Sequence, residues 1–369
     1  MRKILVVGQT PPPYGGQALM IQKMLDGKYG DIQLYHLRMA FSKEMDEIGK
    51  FKFSKLFELI RVIAKIIAFR FLKNVRILYY PPGGPRIIPM LRDISILIST
   101  RWLFDKTIFH FHAGGVSELY DRLPRFMKFW FRLAYYYPDA AIRTSKLDPG
   151  DPKKIIAARE FIVPNGIEDN AKEFVTECRD ENKTVCILFV SVLSENKGIG
   201  ILLGACRTLE SRNIKFRINL VGRFETPTFE NYVREFVREN DIGRRMTFSG
   251  VLIGRQKWEA YAAADIYCFP SHFEAETLSV SLIEALSFGL PVVATRWRAS
   301  PDIVEDGVCG FLVPVKNREA LAARLEQLIC DPDLRQRMGQ QSRRRFLEKF
   351  TLQKYRQGLM DAFNSVVVS

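Results

Sequence analysis

Histidine is scarce in this chain, with four in 369 residues and no pair at His-Glu-x-x-His spacing. A dedicated metal centre needs three or four converging ligands, so none is expected. The six cysteines (Cys178, Cys186, Cys206, Cys268, Cys309 and Cys330) all lie at or beyond position 178, none closer than eight positions to the next. No Cys-x-x-Cys occurs, which argues against zinc and against a disulfide framework. Six buried thiols in a reducing compartment are expected instead. Long apolar runs are also missing. A spanning helix needs about 18 apolar residues, and Arg61, Lys65, Arg70 and Lys73 interrupt the best stretch. Behind Met1-Arg2-Lys3, the run Ile4-Leu5-Val6-Val7 is too short for a signal-peptide core of ~7–15 residues. The expected location is the cytoplasm, with contact to a membrane left open. Internal repeats and low-complexity segments are absent.

What is present is ordinary globular material: 47% hydrophobic and 26% charged residues, enough for about two domains at ~100–200 residues each. Charge is unevenly placed. Residues 1–160 hold 27 of the 55 Lys and Arg but only 14 of the 41 Asp and Glu, a net +13 that leaves +1 for the rest of the +14 total. One half is therefore expected to face something anionic: nucleic acid, acidic lipid or a phosphorylated substrate.

Ile4–Val7 reads as a buried strand ended by Gly8, followed by a proline loop (Thr10 to Gly16) and a helix from Gln17 to Leu25. Ile77–Tyr80 and Thr107–Phe111 are further strands that run into Pro-Pro-Gly-Gly and His-Ala-Gly-Gly loops. From Val185 the alternation is regular. Strands are predicted at 185–190, 216–221, 246–249, 266–269 and 292–294, with helices at 198–212, 230–240, 256–263 and 279–288. Such alternation calls for parallel sheets covered by helices on both faces. The fold class is α/β, two Rossmann-like doubly wound domains facing across a cleft, divided near the polar stretch Asn170–Lys183. Ligands of such sheets sit at the carboxyl ends of the strands, so the cleft is the expected site.

The most specific pattern is Glu276-Thr-Leu-Ser-Val-Ser-Leu-Ile-Glu284. The first carboxylate lies in the loop ahead of a helix and the second about a turn and a half inside it. The amides of Thr277, Leu278 and Ser279 would lie at the helix N-terminus, where phosphate gains from unpaired N–H groups and the dipole. Glu284 would accept both hydroxyls of a ribose. Taken singly, each glutamate also reads as a solvated charge.

Together with the adjoining helix and strand, Ala285 to Thr295, this stretch resembles the E-x7-E signature of retaining glycosyltransferases of the GT-B fold, specifically glycosyltransferase family 4. The resemblance covers most of the chain. Gly15-Gly16 matches the family's N-terminal glycine pair, Phe109–His112 its strand ending in histidine, and Val163–Ile167 its V-P-N-G-I segment. Phe189–Gly198, Leu220–Gly222, Phe248–Gly250, Ala264–Ile266 and Pro270-Ser271 stand in the family's order. The resemblance implies an N-terminal acceptor-side domain (1–170), a C-terminal nucleotide-sugar domain (171–349), and a last helix (350–369) that packs back on the first. It implies a nucleotide diphosphate sugar as donor, with ribose on Glu284, donor sugar on Glu276, diphosphate on Lys197, and sugar on His112. Gly15, Gly16 and Gly222 would let backbone approach the donor. Retention implies leaving-group assistance and front-side attack, with no covalent intermediate, cofactor or required metal.

Two departures stand out. Val192 occupies the place of the family's arginine, five positions before Lys197; Arg223 is the first candidate to replace it and Arg255 the second. Arg296-Trp297-Arg298-Ala299 replaces a frequent Gly-Gly pair. In the basic half, Phe51–Arg76 mixes apolar and cationic residues. Arg122, Arg125, Lys128 and Arg132 are predicted on one side of a helix, with Leu123, Phe126, Met127 and Trp130 on the other. That is a membrane-surface pattern. The expected partners are thus a saccharide or lipid-linked acceptor and an anionic membrane surface, with peripheral attachment to its inner face. Nucleic acid would leave Glu276, Glu284 and the glycine loops unexplained. A nucleotide-sugar 2-epimerase of the same fold, or a catalytically silent partner subunit, are the alternatives.

Overall fold

The computed structural model describes residues 2–12, 14–39, 41, 54–174 and 184–367. The chain divides into two compact units: Met1–Gly166, Ala275–Leu278 and Leu352–Ser369 make the first, Ile167–Glu274 and Ser279–Thr351 the second.

The first unit begins with β1 (Arg2–Gly8), α1 (Gly16–Leu25), β2 (Ile32–Arg38), α2 (Ser54–Leu72), β3 (Ile77–Tyr80) and α3 (Ile87–Thr100). It continues with β4 (Lys106–Phe111), α4 (Arg125–Tyr135), β5 (Ala140–Arg143), the single turn α5 (Asp151–Lys154) and β6 (Glu160–Ile162). All six strands run parallel in the order β2-β1-β3-β4-β5-β6. Ile4 to Val7 are buried throughout, as expected of a parallel strand covered on both faces. Leu5 and Val7 share one core with Val62 and Ile66 of α2, Ile94 and Leu97 of α3, and Phe131 and Tyr135 of α4. Burying each such side chain contributes ~1.5–3 kcal/mol.

The second unit contains β7 (Val185–Val190), α6 (Ile199–Ser211), β8 (Phe216–Val221), α7 (Pro227–Glu239), β9 (Met246–Gly250) and α8 (Gly254–Ala262). Then come β10 (Ile266–Phe269), α9 (Val280–Ser287), β11 (Val292–Thr295), α10 (Ser300–Ile303), β12 (Gly310–Val313), α11 (Arg318–Cys330) and α12 (Pro332–Lys349). Its strands are also parallel, ordered β12-β11-β10-β7-β8-β9. This is the order of dinucleotide-binding sheets, with the topological switch between β7 and β10. In the first unit the switch lies between β1 and β3, the other common doubly wound arrangement. The last helix, α13 (Leu352–Val367), belongs to the first unit. Tyr355 donates its hydroxyl to the Met20 carbonyl at 3.2 Å, and Phe363 meets the rings of Tyr29 and Tyr79 edge-on.

Two expectations need correction. Cys186, Cys206, Cys268 and Cys309 are buried, but Cys330 is exposed at the end of α11; Cys178 lies outside the described residues. In the basic segment, α4 starts only after Pro124, so Arg122 and Leu123 fall outside it. The register of α4 is set by Phe131, Ala134 and Tyr135, which face the sheet. Phe126 and Trp130 therefore do not share the core side: they are 67% and 45% exposed, beside Phe129 and Leu133. Phe57, Ile60, Ile67 and Phe71 of α2 are exposed as well. Lys52 lies outside the described residues. Among the described residues no helix is long and apolar enough to cross a membrane, and no three metal-ligating side chains converge.

Candidate functional site

Lys197 lies in the loop after β7, Gly222 and Arg223 follow β8, and Glu284 sits on α9 behind β10, so all four belong to the switch region of the second unit. The loops after β7 and β8 are stitched together. Leu193 donates its amide to the Arg223 carbonyl at 2.8 Å, and Glu225 returns one to Leu193 at 3.0 Å. Gly222 makes this approach possible: its φ is +146°, and a Cβ there would stand 1.8 Å from the Ser191 carbonyl oxygen. The Arg223 backbone is thereby held next to the Val192–Leu193 stretch. Arg255 is committed elsewhere, exposed and paired with Glu259 at 3.0 Å. The Lys197 ammonium lies over the ring of Phe273, which follows β10, 4.5 Å from its centroid, an attraction of roughly 0.5–2 kcal/mol between the loops after β7 and β10.

Glu284 is buried on α9, which excludes its reading as a solvated charge. Burying a carboxylate demands partners. Lys257 of α8 donates to Oε1 at 2.6 Å and Tyr261 to Oε2 at 2.9 Å. A carboxylate has about four acceptor positions, and these bonds take up one on each oxygen. The sequence reading passes over Lys257 and Tyr261. Their spacing, four apart on one helix face, is the only trace they leave there.

Glu276 is buried too, which excludes the solvated reading for it as well. Its segment, Ala275–Leu278, belongs to the first unit although both flanks belong to the second. Thr277 donates its hydroxyl to the His112 carbonyl at 2.8 Å, bringing the segment to the end of β4. Leu278 departs from expectation: its amide is engaged by the Thr144 hydroxyl oxygen at 3.2 Å rather than open to phosphate. Ser279 caps α9 with no side-chain bond to its first turn, and the first N–H groups of a helix have no intrahelical acceptor. Gly15 and Gly16 start α1 with Gly15 at φ −119°, which any residue adopts. Only close approach of another group would make glycine necessary there.

His112 stacks on His110 with centroids 3.9 Å apart, and Tyr79 shares a 2.6 Å hydrogen bond with His110 Nδ1. Both ring nitrogens of His112, and Nε2 of His110, have no hydrogen-bond partner among the described residues. Burial pushes His112 down to about 3, and His110 well below the usual imidazole range. At neutral pH His112 is therefore an uncharged hydrogen-bonding group. Because its folded pKa lies below the unfolded value, its contribution to stability is present above pH ~6.5 and is lost as pH falls toward about 3. His112→Gln is expected to flatten the fall of the melting midpoint between pH 6.5 and 4. An unchanged slope would assign that fall to other groups.

Residues 171–345 match the family described as glycosyl transferases group 1. A putative colanic acid biosynthesis glycosyltransferase, WcaL of Salmonella typhimurium, is 30% identical over 145 residues, 38% of this chain and 35% of that protein. The phosphatidyl-myo-inositol mannosyltransferase of Mycolicibacterium smegmatis is 34% identical over 156 residues, 42% of this chain and 38% of that one. The match thus spans little more than a third of either relative. HepE of Anabaena, solved in complex with UDP, superposes with a TM-score of 0.73 at 17% identity, covering 98% of this chain and 100% of that one. The fold is GT-B.

Proposed function

We propose that this chain transfers a hexosyl group from a nucleoside diphosphate sugar, with retention of configuration. The observation that carries the reading is the pair of buried carboxylates, Glu276 before α9 and Glu284 within it. On this reading Glu284, oriented by Lys257 and Tyr261, accepts the ribose hydroxyls. Glu276 accepts hydroxyls of the sugar, and uncharged His112 hydrogen-bonds to it. Lys197 and Arg223 meet the diphosphate, with the first-turn amides of α9 nearby. As the glycosidic bond breaks, charge gathers on the leaving diphosphate, and fixed cations there lower the barrier. The acceptor hydroxyl then attacks from the face the leaving group vacates, which preserves configuration without a protein nucleophile. The UDP bound by HepE and the match over residues 171–345 support a nucleotide donor. A thermal-shift screen of UDP, GDP and ADP with their sugars, followed by NMR of the product's anomeric proton, tests the reading. Stabilisation by one nucleotide and a retained anomer are expected. An inverted product overturns retention, and neither binding nor transfer overturns the whole.

The acceptor, on this proposal, is a lipid-linked saccharide at an anionic membrane on the cytoplasmic side. Support comes from the +13 charge of residues 1–160 and from Phe126 and Trp130, exposed among Arg122, Arg125, Lys128 and Arg132. Each cation near such a surface contributes ~1 kcal/mol within a Debye length of ~8 Å. Sedimentation with vesicles containing anionic lipid is expected, lost in high salt and weak with neutral vesicles. Changing those four cations to Glu should abolish it and spare nucleotide binding. Salt-independent behaviour, or no binding, would assign the basic face to a soluble anionic acceptor.

A further inference from the structure

We infer that Thr144 is a positioning residue for Glu276: with Asp148 and Asn165 it seats the segment that carries this carboxylate. The effect on turnover rests on the transferase reading above; the seating itself does not. A threonine hydroxyl has one proton, and Thr144 gives it to Asp148 Oδ2 at 2.7 Å. That buried oxygen also accepts the amides of Thr144 and Ser145, both at 2.9 Å, so the acceptor is fixed by three donors. With its proton committed, the Thr144 oxygen has only lone pairs to offer. The Leu278 amide donates to it at 3.2 Å. Asn165 closes on the other side, its side-chain amide donating to the Leu278 carbonyl at 2.7 Å.

Both backbone groups of Leu278 are therefore held by side chains, in a place where neither helix nor sheet holds them. The Thr277 hydroxyl adds its bond to the His112 carbonyl. These bonds fix the chain one and two residues beyond Glu276, and Thr277 and Leu278 are buried around them. A carboxylate that must meet a sugar hydroxyl at hydrogen-bond distance depends on such support, because displacements near 1 Å cost about 100-fold in rate. Asp148 acts through Thr144: it decides which way the hydroxyl points.

Amide exchange over residues 275–279, together with steady-state kinetics, tests this on the full chain and its Thr144→Val and Thr144→Ser variants. Valine keeps the shape and removes the hydroxyl; serine keeps the hydroxyl. In Thr144→Val the segment is expected to exchange about tenfold faster or more, and turnover to fall about 10- to 100-fold. UDP affinity should stay within about twofold, because the ribose and diphosphate residues are untouched. Thr144→Ser should restore both. Unchanged exchange in Thr144→Val would overturn the inference, as would unchanged turnover in an active protein. So would a parallel loss of UDP affinity and melting midpoint that serine fails to rescue. If the wild type neither binds nucleotide nor transfers sugar, the transferase reading falls, and the exchange comparison still decides whether Thr144 seats the segment.

Discussion

Lys197→Ala is expected to lower transfer about 100-fold or more while changing UDP affinity less than about tenfold. The asymmetry comes from when the charge is needed. In the bound donor the diphosphate is already anionic and partly solvated; in the transition state it takes on the electrons of the breaking bond. On the proposed reading, a compact ammonium seated over the Phe273 ring gains most at that moment. Steady-state kinetics beside equilibrium UDP titration would read the split, and equal losses in both would reduce Lys197 to a binding residue. The same logic extends to Arg223, tied through its carbonyl to Leu193. If it supplies the missing cation, Arg223→Ala should approach Lys197→Ala in severity, and Val192→Arg should be neutral or helpful. Wild-type kinetics in Arg223→Ala would return attention to Arg255.

Glu284→Ala carries the second large effect. If Glu284 accepts both ribose hydroxyls as proposed, two charged hydrogen bonds, each ~1.5–3 kcal/mol, correspond to a loss of roughly 10²–10⁴ in nucleotide affinity. The variant also strands a half-buried Lys257 ammonium and the Tyr261 hydroxyl, so part of any loss is structural. Glu284→Gln separates the two: it preserves shape and one acceptor but no charge. Its UDP affinity should fall between wild type and alanine, at a melting midpoint nearer wild type. Unchanged UDP affinity in either folded variant would remove the ribose assignment.

Much of the second unit is legible in the sequence, because its strands are short and mostly apolar, two of them stopped at once by Gly222 and Pro270. Val185–Val190, Phe216–Val221 and Ile266–Phe269 are identical in prediction and structure. The first unit hides more. Tyr35 and His36 of β2 interrupt any alternation, and three-residue β6 (Glu-Phe-Ile) has no room for a period. The face of α4 could not be read from spacing alone. Phe126, Phe129 and Trp130 compete with Phe131 and Tyr135 for the apolar stripe, and tertiary packing decides among them. The carboxylates Glu276 and Glu284 were visible through their spacing. Lys257, Tyr261, Thr144 and Asp148 were not, since their roles depend on partners far along the chain or on a hydroxyl's direction. Local pattern encodes neither.

The return of α13 to the first unit has a consequence for biosynthesis. Made vectorially, the N-terminal unit is completed only after the second one, because its piece from Leu352 onward is translated behind Ile167–Thr351. Until Tyr355 and Phe363 arrive, Met20, Tyr29 and Tyr79 lack the cover that α13 provides. At about 5–20 residues per second the ribosome needs on the order of tens of seconds to run from β6 to α13. The second unit, contiguous but for one short segment, can close during that interval. A released chain ending before Leu352 would thus keep the whole of the second unit but leave Met20, Tyr29 and Tyr79 of the first without the cover of α13, a natural target for chaperones and proteases.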